Sequence, residues 1–180
     1  MSRRLVIAID GPSASGKGTL AKRLAAHFGL PHLDTGLLYR AVGWIAYRTG
    51  ADQTDVAANL DAFDLKDPDL RGDEAGQLAS KAAANPVIRA NLLKFQKDFA
   101  SKASGAVLDG RDIGTVICPD ASAKLFLTAR PEIRAERRLK ELQAKGVEAI
   151  GSAVLRDMME RDARDAQRSV APLEPAKDAF

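Results

Sequence analysis

The sequence is poor in the side chains that build disulfides and transition-metal centres, with one cysteine, Cys118, and two histidines, His27 and His32. A single cysteine excludes a disulfide within the chain and suits a reducing compartment. So few thiol and imidazole groups also exclude a clustered transition-metal site. We therefore expect a cytoplasmic protein in which both histidines are solvated or packed and the chemistry uses other groups.

Long apolar runs and a strong net charge are missing as well. Only five apolar residues follow Arg3 and Arg4, too few for a secretory signal, and no run approaches the ~18 residues that span a bilayer. The 27 basic residues are interspersed with 24 acidic ones, which leaves a net charge of +3. This balance argues against a nucleic-acid or membrane partner. The 180 residues can form one core with a small appended lobe.

A phosphate-binding loop is the clearest motif in the chain. Apolar residues 5–9 predict a buried strand, and Leu20, Leu24 and Phe28, four apart, predict one apolar face of a following helix. Small residues between them let backbone N–H groups face phosphate oxygens, the helix N-terminus adds partial positive charge, and Lys17 adds a mobile cation. The residues predicted to hold nucleotide phosphates are Gly11, Pro12, Ser13, Ala14, Ser15, Gly16, Lys17, Gly18 and Thr19.

The loop departs from the usual pattern at one position. Gly18 stands where a Ser or Thr usually ligates Mg²⁺, and the hydroxyl comes one residue later, at Thr19. The run Gly-Lys-Gly-Thr resembles that of nucleoside monophosphate kinases, which hold Mg²⁺ largely through water and the nucleotide phosphates. Asp109 ends a predicted strand, the position expected for an acid that orients a Mg²⁺-bound water. A guanine-nucleotide switch would need Asn-Lys-x-Asp after a strand, and the sequence has none.

Strands and helices alternate along most of the chain. The predicted strands are 5–9, 31–36, 106–109 and 123–127, and the predicted helices are 17–28, 37–50, 86–102, 131–146 and 153–168. This alternation indicates an α/β protein with an open, mostly parallel sheet and right-handed crossovers. Asp34, Thr35 and Arg40 follow the second strand, at the sheet end where such folds bind ligands. Residues 51–84 have no long apolar run and predict an excursion, helical in parts, that does not form a core layer.

The last predicted helix carries arginines on one face. Arg161, Arg164 and Arg168 are three and four residues apart, with acidic residues interspersed. One interpretation is a solvated, salt-bridged surface. Because phosphoryl transfer develops negative charge that arginine can grip in bidentate fashion, the alternative is a mobile lid that closes on ATP and excludes water. The phosphate-binding loop favours the lid.

Four motifs spread over nearly the whole chain resemble bacterial cytidylate kinases, in which ATP phosphorylates CMP or dCMP. The motifs lie at 9–19, 34–40 (Asp-Thr-Gly-x-x-Tyr-Arg), 109–116 (Asp-Gly-Arg-Asp-Ile-Gly-Thr-Val) and 161–173. The resemblance implies the three-layer fold of the P-loop NTPases, with a kinase core at 1–50 and 86–180. It also implies a small nucleoside-monophosphate-binding insert at 51–85 and an Arg-rich helical lid at about 146–168.

The resemblance also implies roles for individual residues and ATP with Mg²⁺ as cofactors. Catalytic roles fall to Lys17, Asp34, Arg161 and Arg164. The acceptor phosphate would be bound by Thr35, Arg40 and Arg111, and the cytosine edge by Ser80, Arg89 and Asp112. Arg161, Asp165 and Arg168 would line the side of the site that holds the sugar and phosphate of CMP. Arg137 and Arg138 would lie near the ATP end. Mg²⁺ would lie near Thr19 and Asp109, mostly through water.

The sequence differs from the family pattern in two places. The segment between Arg40 and Arg89 is shorter than in longer family members, which predicts a smaller cap over CMP. The family continues past Phe180 into a strand and a helix, and residues 178–180 would begin that strand.

We expect the protein to act as a monomer. Two other functions remain open beside CMP phosphorylation. They are a kinase for another small acceptor, such as UMP or an alcohol, and an ATP-binding switch with little turnover.

Overall fold

The computed structural model describes residues 4–60, 65–102 and 104–180. Its strands are β1 (Val6–Asp10), β2 (His32–Asp34), β3 (Ala106–Gly110) and β4 (Ala123–Phe126), and they form one sheet in the order β2-β3-β1-β4. Each pairing between these strands is parallel, as the alternation of strands and helices predicts. The carboxyl ends of β1, β2 and β3 therefore meet at one edge.

The helices follow the predicted order with small shifts at their ends. They are α1 (Lys17–Phe28), α2 (Thr35–Thr49), α3 (Gln53–Ala58), α4 (Asp73–Ala82), α5 (Pro86–Ala100), α6 (Pro131–Ala144) and α7 (Gly151–Ala166). Helix α2 begins at Thr35, directly after β2, so that Asp34 occupies its N-cap position, without a side-chain capping bond, and Thr35 lies in its first turn. None of the helices in the described ranges combines the length and apolarity needed to cross a bilayer.

The sheet lies between two hydrophobic layers, which gives the three-layer architecture. Val6 and Ala8 of β1 belong to a large cluster with α2 and α5, whereas Ile7 and Ile9 belong to a smaller cluster with α1. Strand residues are buried on both faces because successive side chains alternate between the faces. This double burial explains the unbroken apolar run at the start of β1.

The predicted apolar face of α1 packs against the sheet at Leu20 and Leu24 but not at Phe28. Ala21 and Ala25 are the buried residues, Leu20 and Leu24 flank them, and Phe28 is 48% exposed. The methyl side chains of the two alanines let the helix approach the sheet closely. The spacing of four therefore predicts the face that packs on the sheet, and the most deeply buried residues of that side are the adjacent alanines.

The segment after α2 contributes to the core, contrary to the expectation from its composition. Helices α3 and α4 and a short 3-10 turn, Pro68–Arg71, pack against α2 and α5. Their residues Val56, Leu70 and Ala79 are buried in the large cluster. Single small apolar residues at helical spacing provide this burial, so a long apolar run is not required. Residues 61–64 of the segment lie outside the described ranges.

The chain end lies alongside β4. The N–H of Phe180 donates to the Lys124 carbonyl at 3.0 Å, and the Phe126 N–H donates to the Phe180 carbonyl at 2.8 Å. The buried Lys124 ammonium also pairs with Asp178 at 2.8 Å. These bonds hold residues 178–180 beside β4.

Candidate active site

The phosphate-binding loop connects β1 to α1, as predicted. Gly11 has φ +149°, and a Cβ there would lie 2.0 Å from the Leu127 carbonyl oxygen, so the close approach of the loop to the end of β4 requires glycine. The Lys17 ammonium folds back across the loop and donates to the Pro12 carbonyl at 3.0 Å. Thr19, one turn into α1, lines an open groove together with Arg137.

Two arginines of α6 brace the loop from outside. Buried Arg134 donates to the carbonyls of Ser13 at 3.2 Å and Ala129 at 2.9 Å, and pairs with Asp162 of α7 at 2.6 Å. Arg137, predicted at the ATP end, donates to the Ser15 carbonyl at 3.2 Å. Sequence reasoning gave Arg134 no role, although its position one turn before Arg137 and Arg138 would have placed it on the same helix face.

A pocket beside the loop gathers side chains from α2, α4, α5, α7 and the turn after β3. It contains eight of the nine predicted acceptor-binding residues and also Tyr39, which the sequence analysis did not name as a site residue. The eight are Thr35, Ser80, Arg89, Arg111, Asp112, Arg161, Asp165 and Arg168. The ninth, Arg40, lines an adjoining cleft with Ser13, Ala14, Gln77, Arg138 and Arg161. The pocket and this cleft share Arg161, and the cleft reaches the phosphate-binding loop.

At one end of the pocket, Arg89 and Asp112 form a buried ion pair. Burial raises the pKa of Asp112 even though the Arg89 guanidinium favours its charged form. Arg89 also stands 5.7 Å from the centre of the Tyr39 ring. The pair presents a carboxylate acceptor and guanidinium donors next to each other in a dry environment, which suits the edge of a polar base.

Asp165 organises a second group of side chains in the pocket wall. Its carboxylate accepts from Arg111 Nε at 2.8 Å, from the Ser80 hydroxyl at 3.2 Å and from Arg168. Burial would raise the pKa of Asp165, but the guanidiniums of Arg111 and Arg168 outweigh burial and lower it. Asp165 therefore stays ionised and holds arginines from two distant segments in place.

Cations converge where the pocket meets the cleft. Burial, with Arg111 and other cations nearby, lowers the pKa of Lys17 to about 7 and that of Arg161 to about 9. Gly76 of α4 leaves room for the guanidiniums of Arg40 and Arg161, which lie 3.0 Å and 3.2 Å from where its Cβ would be. The Arg161 Nε is buried without a hydrogen-bond partner within the described part of the chain. Cations crowded in this way favour a polyanionic ligand.

Arg164 lies apart from these cations. It is exposed on α7 and donates to the Gln77 side chain at 2.6 Å and to the Ser80 hydroxyl at 3.5 Å. Both partners belong to α4, so Arg164 ties the predicted lid to the predicted insert. Sequence spacing placed it with Arg161 and Arg168, but the side chain extends to the rim of the pocket.

Two carboxylates at the sheet edge face the end of the loop. Asp34 and Asp109 are paired in the register of β2 and β3, and both act electrostatically on the Lys17 ammonium. Hard carboxylate oxygens beside a phosphate-binding loop fit Mg²⁺. The ranges described contain no group of three acidic, His or Cys residues able to ligate a metal directly. A Mg²⁺ ion here would take most ligands from water and nucleotide phosphates.

The fold and the site define a nucleoside monophosphate kinase of the P-loop class. A family model described as "Cytidylate kinase" matches residues 7–67 and 60–180. The cytidylate kinase of Paramagnetospirillum magneticum is 60% identical over 183 residues, covering 97% of this chain and 87% of the relative. That of Rhodopseudomonas palustris strain TIE-1 is 55% identical over 181 residues, covering 97% and 85%. The chain belongs to the cytidylate kinase family.

A solved structure also shares the fold. The crystal structure of an uncharacterized protein from Eubacterium ventriosum superimposes with a TM-score of 0.56 at 18% identity, covering 97% of this chain and 82% of that one. At this identity the match concerns architecture only. It agrees with the α/β arrangement described above.

Proposed function

We propose that the protein transfers the terminal phosphoryl group of ATP to CMP or dCMP, giving ADP and the nucleoside diphosphate. Transfer is direct and in line, with no covalent enzyme intermediate, so that catalysis consists of positioning and charge stabilisation. The observation that carries the proposal is the continuity of the site. The pocket with the Arg89–Asp112 pair shares Arg161 with a cleft that reaches the phosphate-binding loop.

The acceptor nucleotide would lie along this pocket. At its inner end, Asp112 accepts from the 4-amino group of cytosine, while Arg89 donates to the ring N3 and O2, with Ser80 beside them. Sugar and phosphate groups extend toward α7. The residues assigned to them are Thr35, Arg40, Arg111, Arg161, Asp165 and Arg168.

The donor would lie over the loop at residues 11–19. Lys17 contacts the transferring phosphoryl group, and Arg161 stabilises its developing charge from the lid side. Arg137 and Arg138 serve the ATP end. Asp34 acts through its charge on Lys17. From its contacts with Gln77 and Ser80 we reassign Arg164 to holding the lid against α4.

Mg²⁺ fits beside these residues as a second cofactor. Thr19 and Asp109 would hold it, mostly through water, and the bound ion would neutralise charge on the nucleotide phosphates. The chain's own contribution is to place an oxygen-rich edge next to Lys17 and to exclude bulk water by closing α7 over the pocket. We also propose that the enzyme acts as a monomer in the cytoplasm, where its single cysteine stays reduced.

The test is ADP release from Mg-ATP with each nucleoside monophosphate in turn. We expect turnover with CMP and dCMP and little with AMP or GMP. Turnover confined to UMP, or to a small alcohol added in the same assay, would replace CMP and dCMP as the acceptors. ATP binding without transfer to any acceptor would reject the kinase function and favour an ATP-binding switch.

A further inference from the structure

One histidine contacts an acidic residue at the sheet edge. His32 Nε2 lies 2.6 Å from Asp109 Oδ1. The Asp109 side chain is 4% exposed and the His32 side chain 17%, so water competes little for this bond. In the register, His32 pairs with Val107 and Asp34 with Asp109. Residues two apart share a face, and Val107 belongs to the cluster with α1, so the pair lies on the α1 side of the sheet.

The other oxygen of Asp109 faces the first turn of α1. A Cβ at Gly18 would lie 3.8 Å from Asp109 Oδ2. The same carboxylate favours the charged form of Lys17, the residue before Gly18. One oxygen is therefore held by the imidazole, and the other is directed to the place where most phosphate-binding loops carry a hydroxyl. The Thr35 hydroxyl bonds the Asp109 carbonyl at 2.9 Å, which fixes the backbone beneath it.

We infer that His32 is a positioning residue for phosphoryl transfer: it fixes the rotation of the Asp109 carboxylate so that Oδ2 stays turned to the loop. This inference rests on the proposed function. A carboxylate has a broad, roughly two-fold terminal torsion, so without a fixed partner its oxygens sample orientations that do not serve a ligand. Outer-shell partners of this kind typically contribute about 10–100-fold to metal affinity or activity.

A purely structural role is the alternative that the test must exclude. The pair joins β2, a three-residue edge strand, to β3, and could act only by stabilising that edge. Such a role predicts a lower melting temperature on substitution, with an unchanged response to the metal. A positioning role predicts that the response to the metal changes even in variants that fold normally.

The bond can be observed directly because the chain contains only two histidines. His27, exposed near the end of α1, serves as the internal control. In ¹⁵N-edited spectra of the nucleotide-free protein, we expect a protonated Nε2 at His32 whose resonance shifts in Asp109→Asn while His27 does not respond. An unprotonated Nε2, or a His32 ring insensitive to Asp109→Asn, would overturn the inference.

Binding and kinetics then test the consequence. ADP affinity is measured by calorimetry with and without Mg²⁺ for the wild type, His32→Leu, His32→Gln and the control His27→Gln. In His32→Leu, we expect the gain in ADP affinity that Mg²⁺ produces to be about 10-fold smaller than in the wild type. We expect kcat to fall by a similar factor, with the KM for CMP unchanged. His32→Gln, which keeps a donor at similar reach, should stay within about threefold, and His27→Gln should match the wild type.

A double mutant separates positioning from general stability. In the Asp109→Asn background, His32→Leu should cause no further change in the Mg²⁺-dependent gain in ADP affinity, because the two residues act as one unit. Additive losses, or wild-type behaviour of His32→Leu, would reject the inference while leaving CMP phosphorylation intact. Loss of the metal-dependent gain in a protein that phosphorylates no nucleotide would instead support the positioning and reject the proposed function.

Discussion

The two halves of the site are constructed on different principles. The donor half, residues 11–19, is one contiguous loop whose shape comes from backbone geometry. At Gly11, for example, any side chain would collide with the Leu127 carbonyl. The acceptor half is the pocket that contains Arg89, Asp112 and Asp165, assembled from α2, α4, α5, α7 and the turn after β3. A backbone cradle tolerates changes in most side chains, whereas an assembly of ion pairs depends on each partner.

The halves also differ in how their charges are balanced. In the acceptor half, Arg89, Arg111 and Arg168 have carboxylate partners in the protein. In the donor half, the Lys17 ammonium contacts a carbonyl, and burial with nearby cations lowers its pKa to about 7. The donor half thus lacks negative charge that nucleotide phosphates would supply. Binding of phosphate groups should restore the ordinary charge of Lys17 and stabilise the folded protein.

The largest effect is expected from Lys17→Ala, which removes the one side-chain cation of the donor half. We expect kcat to fall roughly 10³-fold, by analogy with loss of a preorganised electrostatic group. The melting temperature should not fall, because a desolvated cation crowded by Arg111 and Arg161 is removed. The measurement is initial velocity with CMP and Mg-ATP, together with thermal unfolding.

Lys22→Ala is the matched control, since Lys22 lies exposed on α1. It should leave both rate and stability unchanged. Near-normal turnover of Lys17→Ala would mean that the loop backbone alone carries the donor half, and the mechanism proposed here would be wrong.

The same contrast explains what the sequence could predict. The donor half is contiguous, so its strand, loop and helix follow from residue types at fixed offsets. The acceptor half joins Arg89 to Asp112 and Arg111 to Asp165, pairs separated by 23 and 54 residues. No local pattern encodes such pairs, and their residues were found through resemblance to a family. That nearly all of them lie in one pocket is the new information from the structure.

The contact between His32 and Asp109 could not be predicted for a related reason. His32 was expected to be solvated or packed, because an isolated histidine carries no signal for the aspartate 77 residues later that accepts its hydrogen bond. Only the register of β2 on β3 brings them together. Helix α1 shows a different limit: the spacing of its leucines predicts the face that packs on the sheet, but it does not show that Ala21 and Ala25 are the more deeply buried residues.

The next largest effect should come from Asp112→Asn in the acceptor half. The substituted amide can donate to the 4-oxo group of uracil, whereas the carboxylate accepts from the 4-amino group of cytosine. We expect the ratio of kcat/KM for CMP to that for UMP to fall roughly 10²-fold, with the KM for ATP unchanged. Steady-state kinetics with both acceptors measure this ratio.

Asp120→Asn, on an exposed residue, is the matched control and should not alter the ratio. Unfolding of Asp112→Asn must be followed as well, because the variant leaves the buried Arg89 guanidinium without its charged partner. An equal loss for CMP and UMP in a folded variant would show that Asp112 does not read the base.

A stability effect is expected at Asp10, which links the halves. It ends β1, and its two oxygens accept from the N–H groups of Ile113 and Gly114, both at 2.8 Å. Burial raises its pKa to about 6, despite these bonds. Because the folded pKa lies above the unfolded one, the stability contribution is full below about pH 4 and is lost as pH rises through 6.

Comparison with Asp10→Asn isolates this contribution. From pH 4 to 7, the unfolding free energy of the wild type should fall relative to the variant by on the order of 2 kcal/mol. Urea unfolding of both proteins at each pH measures the difference. A difference that stays constant across this range would mean that Asp10 is ionised throughout and that burial costs it little.

The smallest effect should come from Arg164→Ala, at the rim of the acceptor half. Arg164 is exposed and bonds Gln77 of α4 at 2.6 Å, so it holds the lid closed without contacting the converging cations. Exposed polar contacts contribute below about 1 kcal/mol, so we expect kcat/KM for CMP to fall no more than about fivefold. Gln77→Ala should have a similar effect, and the double mutant should lose no more than either single one, because both remove the same contact. If Arg164→Ala instead lowers kcat by about 10²-fold, a size typical of transition-state groups, its guanidinium must leave Gln77 during turnover and reach the transferring phosphoryl group.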